Sequence, residues 1–575
     1  WFEGVWYSEE VSPDVSLVGS WFSNRFGGGF SPSNFDSPTD EFIVQSFHTV
    51  VPQSTWSPAG KLTIENNGEF QTDDETITIG GATVISNGGT LAINNAAGIF
   101  DAVGTFDADD GAGGIGNITF SAAGRLKLKS VTADLGTSLT VGTGTIEYDF
   151  AGQQNIFNTA YNNLEIDGSG DKDVGANLTV NGNLIITNGT LDLTNDGADN
   201  FDLALATDFS MANGSLTAGT SDAHTVGGSW TETGGTFAPI AGTFTFNGDG
   251  KTITQSGNNF FNLTIAAGTK TAGSDLNIDG ALLIDPGTLD MSGTNYTLDL
   301  EGDLTISNAG TFTPQGSTTH DVNGNWDDLG GTFTPAAGTF ILSGGSGTTI
   351  STANANSFNN LTIAASGDVT TSTTVDVHVA NTFTVTAGGA FTVAAGHQLT
   401  LLTATIGGSL TATAAGSNAA IISFEDAAST SPSLSVAGTL TLTGTSSADR
   451  DAKILGDADS RIDVNITGTF SGTNFTFEYP DADGLHINSA TQPTIDGGTF
   501  DNPVNGNTSC LLNLSNASTL PATISNCIFN TTTTGNVDAA SGSRNVRSDA
   551  STDNVTFLDF SGTLADNSAS PTAED

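Results

Sequence analysis

Apolar and polar residues alternate in short stretches along most of this chain. Phe244 and Phe246 flank a threonine, and Leu263 and Ile265 flank another in a later stretch. Turn dipeptides such as GT, DG, SG and NG separate the stretches. A period of two is typical of a β-strand with one buried face. No segment keeps a period of 3.6 residues, so the pattern predicts an all-β protein with almost no helix.

A longer repeat is superimposed on this alternation. Residues 224–248, HTVGGSWTETGGTFAPIAGTFTFNG, and residues 320–344, HDVNGNWDDLGGTFTPAAGTFILSG, are identical at 14 of 25 positions, including His224 and His320. Related strings recur between about 140 and 370 with a period of about 97 residues. A catalytic site is needed once, whereas an element that stacks on its own copy is needed many times. The repeat therefore indicates a structural role.

The two periods together predict a parallel β-solenoid, or β-helix, shaped as an elongated rod. Coils of roughly 20 residues would stack through backbone hydrogen bonds and place like side chains on like. A β-sandwich would not explain identical strings that recur at identical phase. We expect an aromatic N-terminal cap or assembly segment (1–58), a solenoid with the long repeat (59–420), a β-helix of longer coils (421–565) and a flexible tail (566–575).

Aromatic residues are concentrated in the N-terminal segment, in the strings WFEGVWYSEE and SWFSNRFGGGF. A solenoid exposes an apolar cross-section at each end, so one interpretation is a cap that covers it. The other is that the aromatic side chains dock on the next subunit and join copies of the chain head to tail. The assembly hypothesis rests on Trp1, Phe2, Trp6, Tyr7, Trp21 and Phe22, with Phe26 and Phe30 in the same block.

The net charge of the chain argues against some classes of binding partner. The chain has 62 acidic and 13 basic residues among 575, a net charge of −49. Such a polyanion repels phosphate backbones, which argues against nucleic-acid binding. The sequence contains no run of 18 or more apolar residues, so we expect no membrane insertion. Its carboxylates need screening by salt or divalent cations. Because the chain starts at Trp1, we expect an extracellular, cell-surface protein whose signal peptide has been cleaved.

Three acidic turns indicate calcium. The strings DADDG (107–111), NDGADNFD (195–202) and DADG (481–484) place carboxylates two or three residues apart beside a glycine, which offers a hard cation several oxygens on one turn. None continues to the glutamate of an EF-hand loop, and acidic turns are also ordinary corners. The candidate ligands are Asp107, Asp109, Asp196, Asp199, Asp481 and Asp483.

No residue is nominated as catalytic or cofactor-binding, because the familiar nucleophile and nucleotide motifs need a strand-to-helix context. We expect His224 and His320 to fill a turn or stack beside tryptophan. Residues 447–463 mix basic and acidic side chains and form either a carbohydrate cleft or a solvated loop. Cys510 and Cys527 either form a disulfide or stay apart as small buried residues.

The strings GGSWTETGGTFAPIAGTFTFNG, FFNLTI and LNIDGALLIDPGTLDM, with the lead-in GSWFSNRFGGGFSPSNFDSPTDEFIVQ, resemble the repeats of large secreted surface proteins of environmental bacteria. Those proteins are β-helical and adhesin-like or autotransporter-passenger-like. The resemblance covers most of 19–420 and, more loosely, the C-terminal segment. It implies a secreted structural or adhesive role and brings no catalytic residues with it.

The sequence thus predicts a non-enzymatic structural protein of the bacterial cell surface, a filament subunit or adhesin that associates with itself end to end. Surface glycans are a further expected partner, and Ca²⁺ is the one cofactor considered. The alternative is a carbohydrate-active protein on the same scaffold, a polysaccharide lyase, a hydrolase or a glycan-binding module. A third hypothesis is binding to ice or a mineral through outward Thr-x-Thr rows such as TVTAGG (384–389) and TLTLTG (439–444).

Overall fold

The chain forms a parallel β-solenoid of about 20 turns, as predicted. A computed structural model describes residues 4–9, 14–109, 115–195, 197, 199–220, 223–314, 316, 318–352, 357–372, 376–425, 431–459, 461–502, 510–515, 523–530, 544–548 and 556–558. Two compact units, Trp1–Asn277 (unit 1) and Ile278–Asp575 (unit 2), divide it. Within the described residues the helical element is the 3₁₀ turn Val18–Ser20, and no helix there is long and apolar enough to cross a membrane.

Unit 1 is built from five sheets. Sheet 1 contains Trp21–Phe22, Val5–Ser8, Glu41–Val44, Lys61–Ile64, Thr83–Ile85, Phe106–Asp107 and Ala133–Asp134. Sheet 2 contains Thr49–Val50, Glu69–Gln71, Thr90–Ile93, Asn117–Phe120 and Ser138–Thr140. Sheet 3 contains Thr76–Ile79, Ile99–Ala102, Arg125–Leu128, Thr145–Tyr148, Asn163–Ile166, Leu184–Ile186, Phe209–Met211, Trp230–Glu232, Lys251–Thr254 and Thr269–Ala272. Sheet 4 contains Gln154–Ile156, Asp171–Val174, Thr190–Asp192, Ser215–Thr217 and Thr236–Ala238, and sheet 5 contains Ala160–Tyr161, Leu178–Val180, Leu203–Leu205, His224–Val226, Thr243–Phe246 and Asn262–Ile265.

The coils of unit 1 are three-sided, and two of the three sides change identity near residue 150. Before that point successive strands fall in sheets 3, 1 and 2, and after it they fall in sheets 3, 4 and 5. Sheet 3 continues through the change. Sheet 1 therefore ends at Ala133–Asp134 and sheet 4 begins at Gln154–Ile156, an interruption of the wall that the sequence pattern did not predict.

Inward-facing residues of successive coils lie on one another, which confirms the predicted stacking. One column of unit 1 runs through Val180, Leu205, Val226, Phe246 and Ile265, all in register and all buried. Strands about 4.8 Å apart bring each side chain into contact with its neighbours above and below. Burial of this apolar surface is the main favourable contribution to the stability of the stack.

The long repeat builds the same aromatic cluster once in each unit. In unit 1 the ring of Trp230 packs within 5.4 Å, between centroids, of the rings of Phe209, Phe237, Phe244 and Phe260. In unit 2 the ring of Trp326 packs within 5.1 Å of the rings of Phe333, Phe340 and Phe358. The repeated string is thus the wall of a stack, as its repetition indicated.

His224 and His320 are buried strand residues of these clusters, so the predicted turn position is wrong. The ring of His224 stacks on Phe244 with 4.5 Å between centroids, and its Nδ1 accepts a hydrogen bond from the N–H of Leu203 at 3.1 Å. The same two contacts recur at His320. A ring nitrogen that accepts a hydrogen bond carries no proton, so Nδ1 is unprotonated in both rings.

Side chains at the corners connect successive coils as well. The N–H of Asn183 donates to Asn163 Oδ1 at 2.9 Å, and the N–H of Asp208 donates to Asn183 Oδ1 at 3.3 Å. The N–H of Ser229 in turn donates to Asp208 Oδ1 at 2.8 Å. Ser229 Oγ then accepts the N–H of Thr252 at 3.2 Å. Each side chain satisfies a main-chain donor one coil further on, and unit 2 contains a ladder of the same kind.

Glycines at some corners are required by close approach rather than by a positive φ. A Cβ atom at Gly324 would collide with the main chain of Gly302, the equivalent corner one coil earlier. Neither residue has a positive φ. Any larger residue at these corners would force the two coils apart.

The parallel stack begins well before residue 59, where we expected the solenoid to start. Glu41–Val44 pairs in register with Lys61–Ile64, and Val5–Ser8 pairs in parallel with Glu41–Val44. The outermost strand of sheet 1, Trp21–Phe22, is two residues long and antiparallel to Val5–Ser8. Such a short antiparallel strand blunts the sheet edge against pairing with another chain. The N-terminal segment therefore contains both the first coils and their cap.

Unit 2 is built from three sheets. Sheet 6 contains Leu282–Ile284, Leu304–Ile306, Trp326–Asp328, Thr348–Ser351, Asp368–Thr371, Ala390–Val393, Ser409–Thr413, Thr439–Thr443, Thr469–Thr473, Thr494–Asp496, Thr523–Ser525 and Thr556–Leu558. Sheet 7 contains Leu298–Leu300, Thr319–Val322, Thr339–Leu342, Phe358–Ile363, Val377–Val385, Gln398–Ile406, Ala420–Phe424, Ser433–Val436, Ala452–Leu455, Ile462–Ile466, Phe475–Glu478, Pro480–Ile487, Thr499–Asp501, Cys510–Leu514, Ile528–Phe529 and Arg544–Ser548. Sheet 8 contains Thr288–Asp290, Thr311–Thr313 and Thr332–Phe333, and the strand Leu276–Ile278 spans the boundary between the units.

Coils lengthen along unit 2. Strands of sheet 6 begin at residues 368, 390 and 409, and the next ones begin only at 439 and 469. The longer coils contribute two strands each to sheet 7, so Gln398–Ile406 pairs with both Ala420–Phe424 and Ser433–Val436. This change falls close to residue 421, where we expected longer coils to begin. The expected tail, 566–575, lies outside the described residues.

The role of the buried histidines can be tested with His224→Phe, which keeps a ring on Phe244 but leaves the N–H of Leu203 without an acceptor. We expect a loss of about 1–3 kcal/mol in unfolding free energy, the usual cost of an unsatisfied buried main-chain group. Urea denaturation followed by tryptophan fluorescence measures it. Thr225→Ser, on the same strand, is the control, and an unchanged midpoint for His224→Phe contradicts the assigned role.

Candidate functional site

The interruption in the wall of unit 1, where sheet 1 gives way to sheet 4, forms an open groove. Its volume is about 800 Å³. The polar part of its lining consists of Thr105, Asp107, Asp109, Thr132, Asp134, Asn155 and Asn158, and Phe157 contributes an aromatic ring. A surface concavity that combines carboxylates, amides and an aromatic ring is a candidate ligand site.

Strand register brings three carboxylates together in this groove. Asp107 lies directly opposite Asp134 in neighbouring parallel strands, and Asp109 follows in the same turn as Asp107. One oxygen of each lies within 4.8 Å of the others. Asp107 Oδ1 accepts the N–H of Asp109 at 3.0 Å, and Asp134 Oδ1 accepts the N–H of Gly136 at 2.7 Å. Three carboxylates at this spacing offer a hard cation such as Ca²⁺ the oxygen ligands it prefers.

The other calcium candidates gain no comparable neighbours. The Oδ2 of Asp199 accepts a hydrogen bond from the side-chain amide of Asn195 at 3.2 Å, and Asp196 lies outside the described residues. Asp481 and Asp483 occupy an irregular part of the strand Pro480–Ile487. Within the described part of the chain, neither turn acquires a third carboxylate at ligand distance.

Asp481 lies where the fold disfavours a charge. Burial, with smaller contributions from the carboxylates of Asp463 and Asp483, raises the pKa of Asp481 to about 6. Hydrogen bonds from the N–H groups of Asp483, at 3.0 Å, and Gly484 oppose this rise. The ionised form at neutral pH therefore subtracts from the stability of unit 2.

In a second acidic group, Glu147, Asp149 and Asp167, two of the three carboxylates already pair with cationic side chains. The buried carboxylate of Glu147 pairs with Arg125 and, at 2.8 Å, with the Nζ of Lys127. Asp149 pairs with the same Nζ at 3.2 Å. Arg125 and Lys127 thus supply the positive charge that a metal ion would bring to Glu147 and Asp149, and these residues form an ion-pair network at sheet 3.

The mixed-charge stretch 447–463 connects coils rather than facing a ligand. The buried guanidinium of Arg450 donates to Thr499 Oγ1 at 2.8 Å and to the carbonyl of Asn526 at 2.7 Å. Arg461 donates to two carbonyls of later coils. Both cations are thus committed to contacts that link neighbouring coils, which a carbohydrate cleft would require to be free.

Two buried lysines were missed by the sequence analysis. The Nζ of Lys172 lies 3.0–3.2 Å from five carbonyl oxygens, those of Phe150, Gly152, Gly168, Ser169 and Gly170. Lys270, at the equivalent position of the next repeat, donates to the carbonyls of Gly248 and Ala267. Burial lowers the pKa of both ammonium groups. Each lysine ammonium group provides hydrogen-bond donors for carbonyl oxygens of a turn.

Cys510 and Cys527 are both buried, and no disulfide joins them in this structure. The Sγ of Cys510 lies 3.3 Å from the carbonyl oxygen of Asp483, and that of Cys527 lies 3.3 Å from the carbonyl oxygen of Ser525. Burial raises the pKa of Cys527 to about 11. Its thiol is therefore protonated and poorly nucleophilic at neutral pH.

The N-terminal aromatic residues divide into buried and exposed groups. Trp21 is fully buried and stacks on Trp56 with 5.4 Å between centroids, so it belongs to the cap and not to an assembly surface. Trp6, Tyr7 and Phe22 are half-buried, and Trp1 and Phe2 lie outside the described residues. The exposed rings are those of Phe26, Phe30 and Phe47, which are 97%, 82% and 81% exposed.

These three residues, which we call the phenylalanine patch, lie on two segments that Glu65 connects. Glu65 pairs with the guanidinium of Arg25, the residue before Phe26, and accepts the N–H of Ser46, the residue before Phe47, at 3.3 Å. Phe30 belongs to the same loop as Phe26, since its N–H bonds to a serine hydroxyl at the start of that loop. Local aromatic density identified Phe26 and Phe30, but Phe47 stands alone in its sequence neighbourhood.

Comparison with known proteins adds no family. A scan against protein-family models found no match, and a search of curated proteins found no relative.

Calcium binding in the groove can be tested with carboxylate variants. We expect Ca²⁺ to bind with a dissociation constant of about 10⁻⁴–10⁻³ M, since few protein ligands are present, and Asp134→Asn to bind about tenfold more weakly. Isothermal titration calorimetry measures both. Asp481→Asn, which leaves the groove intact, is the control, and equal binding by all three proteins would count against the site.

The charge of Asp481 can be tested with Asp481→Asn. At pH 7 we expect the variant to be more stable by about 1 kcal/mol, because this half-buried carboxylate is partly screened by solvent. The folded-state pKa of about 6 lies above the ordinary value, so its stabilising contribution is complete below about pH 4 and is lost as the pH rises through 6. The advantage of the variant should therefore shrink on acidification.

Urea denaturation of both proteins between about pH 4 and 8 measures this difference. Asp457→Asn, at an exposed carboxylate of the same unit, is the control. A difference between wild type and Asp481→Asn that stays constant over this pH range would refute the raised pKa.

Proposed function

We propose that this chain is a secreted structural protein of the bacterial cell surface, whose β-solenoid serves as the subunit of an extracellular filament or adhesin. Copies of the chain associate through the phenylalanine patch. The resemblance of the repeats to secreted bacterial surface proteins supports the location, and the phenylalanine patch is the observation that carries the proposal.

Exposed apolar side chains are concentrated at the N-terminal end of unit 1. Of eleven large apolar residues exposed in the described part of the chain, six lie within the first 47 positions, namely Val5, Leu17, Val18, Phe26, Phe30 and Phe47. The other five are scattered, and single exposed apolar residues need no explanation. A cluster that contains every exposed phenylalanine described is typical of a protein-binding surface.

The cap restricts how copies can join. Because Trp21–Phe22 blunts the edge of sheet 1, a second copy does not extend that sheet by simple strand addition. Contact through side chains of the patch is heterologous if its partner is a different surface of the next copy, and such contacts form open filaments. A net charge of −49 opposes association, so salt or divalent cations favour it by screening.

The groove of unit 1 favours the second function, binding or cleavage of a glycan. Carboxylates and amides beside a half-buried phenylalanine suit a sugar ring. Release of reducing ends or unsaturated products from polysaccharides would identify an enzyme, and binding without release would identify a glycan-binding module.

The assembly proposal is tested by replacing all three phenylalanines of the patch with serine. We expect wild type to form oligomers or fibres at raised salt or Ca²⁺, and the triple variant to remain monomeric, because it loses the three most exposed of these apolar side chains. Analytical ultracentrifugation and negative-stain microscopy measure this. Ile240→Ser with Leu329→Ser, at exposed apolar sites elsewhere, is the matched control.

Two results would overturn the proposal. One is wild type that stays monomeric under all conditions of salt and Ca²⁺. The other is a triple variant that assembles as readily as the control.

A further inference from the structure

One face of unit 2 carries hydroxyl groups and no charge, although the chain is strongly acidic. Six neighbouring strands of sheet 6, from Asp368–Thr371 to Thr494–Asp496, contribute to it. Their central outward column consists of Thr370, Thr392, Thr411, Thr441, Ser471 and Thr494.

Two flanking columns complete this surface, which we call the hydroxyl face. Ser409, Thr439 and Thr469 lie on one side of the central column, and Thr413, Thr443 and Thr473 lie on the other. Pairing continues through all six strands without a register shift. Charged side chains stand only where these columns end, at Asp368 and Asp496.

The hydroxyl groups of this face are free to bond to something outside the chain. None of the twelve makes a hydrogen bond to another described residue. Sheet 7 is different, since Thr400 and Ser423 bond to each other at 3.0 Å and Thr403 donates to the carbonyl of Asn381 at 2.8 Å. Thr405 and Ser435 of sheet 7 also lack a hydrogen-bonding partner among the described residues, but the three adjoining columns of sheet 6 contain no hydroxyl group that is bonded within the described part of the chain.

The array is regular in two directions. Equivalent residues recur about 4.8 Å apart across strands and about 6.6 Å apart along them. The shorter spacing is close to the distance between equivalent oxygens in hexagonal ice. A regular lattice of hydroxyl groups is complementary to a solid surface with its own lattice rather than to a single small molecule, which would need a concave pocket.

The chemistry of the face selects among solid surfaces. A mineral attracts charged groups, and the face has none between Asp368 and Asp496. Crystalline polysaccharides favour aromatic side chains that stack on sugar rings, and the twelve residues include none. Threonine presents a hydroxyl group that joins a hydrogen-bonded water lattice and a methyl group that orders the water beside it.

We propose that the hydroxyl face of unit 2 binds ice. The proposal is independent of filament assembly, because it involves a different unit and different residues from the phenylalanine patch. An ice-bound face would stop the growth of small crystals without any change in the protein.

The test uses the full chain and two matched double variants. Thr411→Lys with Thr441→Lys places charges on two paired neighbours of the central column. Thr405→Lys with Ser435→Lys does the same to an exposed pair in sheet 7. Circular dichroism near the freezing point establishes that all three proteins are folded.

We expect wild type and the sheet 7 variant to inhibit ice recrystallisation equally. The variant of the hydroxyl face should lose at least about tenfold in potency, because its charges must be desolvated against ice. Absence of inhibition by wild type, or equal loss in both variants, would overturn the proposal. Sedimentation of wild type with crystalline cellulose or chitin, abolished by the same substitutions and without any effect on ice, would assign the face to polysaccharide instead.

Discussion

The parallel, in-register pairing of strands in successive coils determines which side chains of this protein are neighbours. Every side chain meets the side chain at the same register position in the neighbouring coils, whatever its chemistry. This stabilises apolar columns and aromatic clusters, but it also places like charges together. Asp299 lies directly opposite Asp321, and burial together with these neighbouring carboxylates raises the pKa of Asp299. A sequence that folds this way must therefore keep charge out of most columns or pair it, as sheet 3 does.

Features of functional interest occur where the stack changes. The groove of unit 1 lies where sheet 1 ends and sheet 4 begins, and the phenylalanine patch lies beside the first coils. The hydroxyl face is the opposite case, because there the stack continues without a shift over six strands. Regularity provides an extended surface, and irregularity provides concavities and exposed rings.

Features encoded locally could be predicted from the sequence. Alternation and the long repeat predicted the strands, their parallel stacking and the near absence of helix among the described residues, because each is set by residues that follow one another along the chain. Asp134 was missed because it lies 27 residues after Asp107 and becomes its neighbour only through register. Lys172 and Phe47 were missed for a similar reason. The carbonyl groups around the Lys172 ammonium and the ion pair beside Phe47 both involve residues of other coils.

The confinement of basic residues has a consequence for digestion of the native protein. A protease that cleaves after lysine or arginine must draw the chain around that residue into its cleft as a separate extended segment. Lys172 and Lys270 are held in strands with their ammonium groups among turn carbonyls, and Arg450 is buried between coils. Cutting at these three positions requires coils to open first, so its rate depends on how readily the coils open.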